Sequence, residues 1–262
     1  METLAVKKGD FILIDYVGKI KETGETFDTT IEEVAKKERI YRKDANYEPV
    51  LVVVGEGWVL KGLDEGLTNL EIEKPTTIEV QPEKGFGMRD PNKVKLVPIR
   101  RFREQGITPY PGLRVELEGK LALVRTVGAG RVQVDFNPPL AGKTLVYQVT
   151  LKKILEGMEE KIRALIHRRI QAIDSQKFGL NISEKTVTIE VPEDAFFIDG
   201  LQYAKRGIAA EVQKFFPEIE NVIFVENYKK RELPPTVMPT PAAPTQASAS
   251  EQPQQVAEKQ DK

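Results

Sequence analysis

Cysteine is missing from all 262 residues, and histidine occurs once, at His167. The first absence excludes disulfides, thiolate catalysis and zinc-finger sites. The second removes most histidine-based metal sites and argues against a Ser-His-Asp triad. Long apolar runs are missing too. The longest is Val50 to Val54, far short of the ~20 residues that span a bilayer. Nor is there an excess of charge of either sign: 39 Lys and Arg against 40 Asp and Glu leave a net charge of -1. The chain as a whole therefore sets up no field that would draw in nucleic acid or an anionic membrane. Met1-Glu2-Thr3-Leu4 carries no signal-peptide pattern. The expectation is a cytoplasmic protein without membrane contact.

What is present is a 40% hydrophobic composition, enough to build cores, in a length that suits two or three domains. Residues 231–262 stand apart, with six of the 17 prolines, Gln-, Ser- and Ala-rich stretches and no aromatic residue. Such a segment cannot bury enough apolar surface to offset chain entropy, and it reads as a disordered tail.

Residues 9–157 read as mostly β. Phe11 to Ile20 has strand composition, Thr23-Gly24 a turn, and Thr26-Phe27 a return strand. Val50 to Val54 suits a strand buried on both faces, Gly62 to Leu67 a short helix, and Thr76 to Val80 another strand. Between Asn92 and Asn137 the pattern is that of a small β-module, with Glu118-Gly119 as a hairpin turn. Nine Lys and Arg against four Asp and Glu make this module net +5. Strand pattern resumes from Thr144 to Leu151. From Met158 the period turns helical through Ile162, Leu165, Ile166, Ile170 and Ile173, with Gly179 as the stop. A strand (Val187, Ile189, Val191), a helix (Leu201 to Phe216) and a strand (Val222 to Val225) complete an α-β-α-β unit. That unit is near neutral, with 11 Lys and Arg against 12 Asp and Glu.

The usual carriers of chemistry are unconvincing. His167 reads as a surface or helix-end histidine. Gly55-Glu56-Gly57 lacks the spacing of a phosphate-binding loop and reads as a turn. Asp64-Glu65 is the kind of pair that 40 acidic residues supply by chance.

A different constellation stands out. Tyr16-Val17-Gly18 is followed by Thr23-Gly24-Glu25-Thr26-Phe27-Asp28 and by Val59-Leu60-Lys61-Gly62-Leu63-Asp64-Glu65-Gly66-Leu67. Then come Glu73-Lys74, Val80-Gln81-Pro82-Glu83-Lys84-Gly85-Phe86-Gly87, and Leu145-Val146-Tyr147-Gln148-Val149. In order, spacing and residue type these blocks resemble the FKBP family of peptidyl-prolyl isomerases over roughly residues 5–155. The module at 92–137, rejoining at Asn137-Pro138-Pro139-Leu140-Ala141-Gly142, is similar to the insert-in-flap domain of the SlyD-like branch, with Pro138 in place of that branch's His. The unit after Met158 looks like the extension of long archaeal members.

The resemblance implies an α+β fold: an antiparallel half-barrel around a short helix, an inserted small all-β domain, and a C-terminal α-β-α-β domain. The implied boundaries are 1–92 with 138–157, then 93–137, 158–230 and the 231–262 tail. It further implies a proline pocket. Tyr16, Asp28, Leu60, Phe86 and Tyr147 would carry catalysis, and Phe27, Val59 and the floor residue Leu63 would bind substrate. Asp28 would orient Tyr16 or polarise the twisted carbonyl, and the Leu60 N–H would donate to a substrate carbonyl. Leu63 stands where many members have Trp, and Phe86 where Tyr is usual. On the insert, Val97, Ile99, Phe102, Ile107 and Tyr110 would offer apolar groups to unfolded chains. No metal and no cofactor are implied, and the His- and Cys-rich tail of some SlyD proteins is missing. Partners would be unfolded or partly folded proline-containing polypeptides. Nucleic acid is not expected, because the basic insert lacks a recognisable RNA motif. For 158–230, self-association, substrate clamping and packing on the core all stay open. The rival reading is a holdase whose pocket only clamps peptide.

Overall fold

The computed structural model describes residues 5–230. The tail expected at 231–262 lies outside the described residues.

Alternation of apolar residues along β1 (Phe11–Ile20) decides how the first sheet is buried. Side chains on a strand point to opposite faces at every step. Ile12 and Ile14 go to one apolar cluster with Leu63 and Tyr147, and Phe11 and Leu13 go to another on the opposite face. β2 (Thr26–Thr29) follows after a tight turn, then α1 (Glu32–Lys37). β3 (Val50–Val53) is divided in the same way, Val50 and Val52 to the first cluster and Leu51 and Val53 to the second. Its unbroken apolar run follows from that two-sided packing.

α2 (Lys61–Gly66) packs against β4 (Thr76–Val80). Gly62 and Gly66 allow the close approach: a Cβ there would stand 2.7 Å from Val80 Cγ1 and 2.6 Å from Ile78 Cγ2. β1 pairs along its whole length with a later strand, β9 (Leu145–Leu155), and β9 pairs with β4. The other edge of β1 is shared, β3 covering Phe11 to Ile14 and β2 covering Val17 to Lys19. The result is a five-stranded antiparallel sheet.

Between β4 and β9 the chain leaves to build a second sheet. This contains β5 (Val94–Pro98), α3 (Ile99–Glu104), β6 (Arg114–Leu117), β7 (Lys120–Gly128) and β8 (Arg131–Asp135), with strand order β5-β8-β7-β6. Its core is Phe102, Val115, Leu117, Ala122, Val124, Val132 and Val134. The hairpin turn falls at Glu118-Gly119, as expected. The structure adds the six-residue α3 to an otherwise β module.

After β9 come α4 (Met158–Arg169), β10 (Gly179–Ser183), β11 (Thr186–Val191), α5 (Leu201–Phe215) and β12 (Asn221–Glu226). β10 pairs antiparallel and β12 parallel with β11. Two expectations are corrected here. The helix ends at Arg169 rather than running through Ile173, and Gly179 opens a strand instead of stopping a helix. Gly179 belongs there because a Cβ would stand 2.9 Å from Glu190 Cβ on the neighbouring strand.

The apolar stripes of α4 and α5 find their partner within the chain. Ile162, Leu165, Ile166, Ile208 and Val212 share one cluster with Phe11, Val53 and Leu155 of the first sheet. Phe11 meets Phe215 edge-on at 5.1 Å and stacks on Phe216 at 6.2 Å. The first sheet is therefore covered on both faces, by α2 on one and by α4 and α5 on the other. No helix among the described residues is long and apolar enough to cross a membrane.

Candidate functional site

The face of the first sheet that carries α2 gathers the ring residues. Tyr16 on β1, Phe27 on β2 and Tyr147 on β9 come together because β1 is hydrogen-bonded to both other strands. Their rings meet edge-on, Tyr16 to Tyr147 at 5.7 Å and Phe27 to Tyr147 at 5.7 Å, the arrangement aromatic quadrupoles favour. Gly18 makes room for them: a Cβ there would lie 2.8 Å from Phe27 Cζ and 3.1 Å from Tyr147 Cε1. Phe86 follows a 3₁₀ turn (Pro82–Lys84), and its ring meets Phe27 edge-on at 6.5 Å while staying 41% exposed. Leu63 is buried at the base, and Val59 and Leu60 pack on the same cluster just before and at the N-cap of α2. The Leu60 N–H has no acceptor among the described residues.

Asp28 is the polar member of the group. Its Oδ2 accepts the Tyr16 hydroxyl at 2.8 Å, and its Oδ1 accepts the Thr29 N–H at 3.0 Å. Burial pushes the Tyr16 phenol far above its ordinary pKa, and the charge and hydrogen bond of Asp28 push it the same way. Burial and then the Asp28 charge raise Tyr147 too. Both phenols therefore remain protonated donors across the neutral range. The Tyr16 backbone is clamped as well. Its N–H donates to Thr30 Oγ1 at 2.9 Å, and its carbonyl accepts from Thr29 Oγ1 at 2.8 Å and from the Thr30 N–H at 3.1 Å.

The seven pocket residues and Asp28 are thus brought together. Several supporting residues carry no strong sequence signal. Asp64 is one: buried on α2, it accepts the Gly55 N–H at 2.8 Å and the Gly57 N–H at 2.9 Å, and so holds the loop that delivers Val59 and Leu60. Gly18, Thr29 and Thr30 are others. Two open cavities flank Tyr16. One of about 640 Å³ also touches Phe27, Asp28 and Tyr47, and one of about 610 Å³ also touches Val59 and Trp58.

The insert residues divide. Tyr110 is 58% exposed, while Val97, Ile99 and Ile107 are half-buried against the module's core. Phe102 is corrected outright. It is fully buried in the module's core, while Arg100, Arg101 and Arg103 around it on α3 are exposed. The large apolar groups that do face solvent include Leu96, at 60%, and Leu121, at 78%. At the crossings into the insert, Asp90 N–H donates to Asn137 Oδ1 and Asn137 Nδ2 donates to the Asp90 carbonyl, each at 2.9 Å.

A half-barrel closed over one short helix, with a second small sheet inserted in the strand-to-strand connection beside the ring cluster, defines an isomerase fold with an insert in its flap. Relatives bear this out. Residues 95–140 match the family described as FKBP26, IF domain, and residues 158–229 the FKBP26 C-terminal family. The chain is 34% identical over 155 residues to a short-type peptidyl-prolyl cis-trans isomerase of Methanocaldococcus jannaschii, covering 59% of this chain and 98% of that one. It is 28% identical over 119 residues to an FKBP-type 16 kDa peptidyl-prolyl cis-trans isomerase of Escherichia coli, covering 44% of this chain and 79% of that one. Against the FKBP-type isomerase SlyD of Helicobacter pylori it is 27% identical over 124 residues, covering 46% and 66%. The chain belongs to the FKBP-type peptidyl-prolyl cis-trans isomerases.

Proposed function

We propose that the chain rotates X-Pro bonds of unfolded or partly folded polypeptides in the Tyr16–Phe27–Tyr147 pocket while the insert holds the client. The supporting observation is the edge-on ring cluster joined to the 2.8 Å Tyr16–Asp28 hydrogen bond. Amide resonance sets a barrier of roughly 18–20 kcal/mol to X-Pro rotation. Twisting the bond removes that resonance and leaves a carbonyl less polar than in the ground state. An apolar, water-poor pocket lowers the barrier by binding the twisted form better than the planar one. Such catalysis asks for no nucleophile, which accounts for a chain with no cysteine and one histidine.

Phe27, Phe86, Tyr147, Val59 and the Leu63 floor would enclose the proline ring. The Leu60 N–H would donate to a substrate carbonyl. Asp28 would act through Tyr16, since its Oδ2 accepts the Tyr16 hydroxyl while its Oδ1 is held by the Thr29 N–H. The Phe86 ring supplies area without a hydroxyl, so one hydrogen bond worth about 0.5–1.5 kcal/mol is forgone.

The insert, residues 93–137, works as a domain of its own with a separate core, and Leu96, Tyr110 and Leu121 are large apolar groups that it exposes. The half-barrel (1–92 and 138–157) and the 158–230 unit are the other domains. The Asp90–Asn137 hydrogen bonds place the two crossings side by side, so a short link from Asn92 to Pro138 can replace residues 93–137 without opening the half-barrel. The test is that deletion. Tetrapeptide isomerisation is expected to persist while proline-limited refolding of a protein slows at least tenfold. Equal refolding rates with and without the insert would refute the division of labour, and no tetrapeptide isomerisation by the intact chain would favour a clamp without catalysis.

A further inference from the structure

The 610 Å³ cavity shares Tyr16 and Val59 with the proline pocket, and its opposite wall is built by α4 and the turn after it. Ala164, His167, Arg168, Arg169 and Gln171 face a strip formed by Pro49 to Val52 and by Trp58. This wall lies outside the half-barrel, in the segment that matches the C-terminal family.

The wall is fixed rather than loosely apposed. The Arg168 guanidinium lies 4.0 Å from the centre of the Trp58 ring, and Trp58 in turn meets Phe215 edge-on at 5.8 Å. Arg168 and Arg169 both donate to the same oxygen of Glu211. His167 Nε2 stands 2.8 Å from Glu48 Oε1, tying α4 to the loop on the other bank. Arg168 and Arg169 outnumber Glu48 among the lining side chains, while Glu211, outside the lining, offsets the charge of the arginines it pairs with, so the groove offers cationic donors without a net charge. With two guanidinium groups on one Glu211 oxygen, most of their N–H donors stay unused and reach the cavity or solvent. Asn46 and Gln171 set exposed amides at its rim.

A donor-rich groove with an apolar strip, lined in part by Tyr16 and Val59 of the proline pocket, matches an extended polypeptide. Its backbone carbonyls accept hydrogen bonds, and a carboxylate complements the arginines. We propose that this groove holds the substrate segment next to the proline and favours an acidic side chain there, making the C-terminal unit a specificity element of the isomerase. The proposal rests on the isomerase reading for its occupant.

The experiment compares octapeptides with the same X-Pro pair and either Glu or Lys on one flank, placed on the N-terminal side in one pair and the C-terminal side in another. Turnover is measured as kcat/KM, and affinity by anisotropy of the same labelled peptides, on the full chain and on Gln171→Glu and Arg168→Ala. Exposed charge pairs contribute about 0.2–1 kcal/mol, so the Glu peptide should be favoured roughly two- to fivefold on one flank. Gln171→Glu, an exposed change with no packing role, should cut that preference to near unity, and Arg168→Ala should abolish it. Equal use of Glu and Lys peptides on both flanks overturns the proposal. So does a preference unmoved by either variant. Should the octapeptides bind without turning over, the isomerase reading fails on its own, and the affinity ratios still decide the subsite.

Discussion

Arg89 and Asp135 meet at 2.7 Å across the base of the insert, one residue on each of the two chain segments that cross there. Asp135 is buried and also takes Arg125 at 2.8 Å, the Asn137 N–H at 2.9 Å and Asn137 Nδ2 at 2.8 Å. Burial alone would raise its carboxyl, but the Asn137 hydrogen bonds, then Arg125 and Arg89, outweigh it and hold the pKa at about 2 against an ordinary 3.8. A carboxylate depressed in the folded state contributes stability that is present above its unfolded value and is lost as pH falls through the folded one. At one pKa unit per ~1.4 kcal/mol, that contribution is roughly 2 kcal/mol. Urea titration of Asp135→Asn should show a loss of about that size at pH 7. The gap to the unsubstituted chain should close between about pH 4 and pH 2.

On the proposal that Asp28 acts through Tyr16, its substitutions are separable. Asp28→Ala leaves the half-buried Tyr16 hydroxyl without its acceptor, at a cost of at most about 1–3 kcal/mol. It should lower tetrapeptide kcat/KM about tenfold. Asp28→Asn keeps an oxygen for the hydroxyl and should retain most of the rate. It also removes the negative charge, so ultraviolet titration should find the Tyr16 phenol lower than in the unsubstituted chain, though still raised by burial. Equal losses in the two variants would assign Asp28 a direct role on substrate instead.

The ring pocket could be expected only through the resemblance of its ordered blocks to the FKBP pattern, since Tyr16, Phe27 and Tyr147 lie on strands but Leu63 is helical and Phe86 follows a 3₁₀ turn. The run from Val50 to Val54 announced the two-sided burial of β3. What sequence concealed was conferred by distance in the chain. Asp64 looked like one carboxylate among many, since its partners, the Gly55 and Gly57 N–H groups, are visible only once the loop is folded. β10 is a short strand in which Leu180 and Ile182 alternate with Asn181 and Ser183, too brief to outweigh the helical pattern preceding it. Phe102 was misread because its neighbours in sequence are arginines. On a helix successive side chains point about 100° apart, so Phe102 can be buried while the arginines beside it stay exposed.

That correction sharpens the test of client holding. Phe102→Ala empties the centre of the insert core, and buried Phe-to-Ala changes cost about 3–5 kcal/mol. It should slow assisted refolding by unfolding the module, seen as lost amide protection across 93–137. Leu121→Ser and Tyr110→Ser alter exposed groups. They should slow assisted refolding while protection stays intact. Refolding unaffected by the two serine variants would place client contacts elsewhere on the molecule.

Gly18 gives the sharpest separation of pocket shape from fold. Its φ is not one that demands glycine; the constraint is space, since an added methyl would lie 2.8 Å from Phe27 Cζ. The ring is half-buried at the pocket edge and can swing outward, so Gly18→Ala should cost at most about 1–3 kcal/mol of stability, as overpacking does. Catalysis should suffer more. A displaced Phe27 loses its edge contacts with both Tyr147 and Phe86 and opens the proline site to water. The expected result is a drop in kcat/KM of more than tenfold with a melting temperature lowered by only a few degrees. Adding Phe27→Leu to Gly18→Ala removes the colliding Cζ atom, and should recover stability without recovering rate.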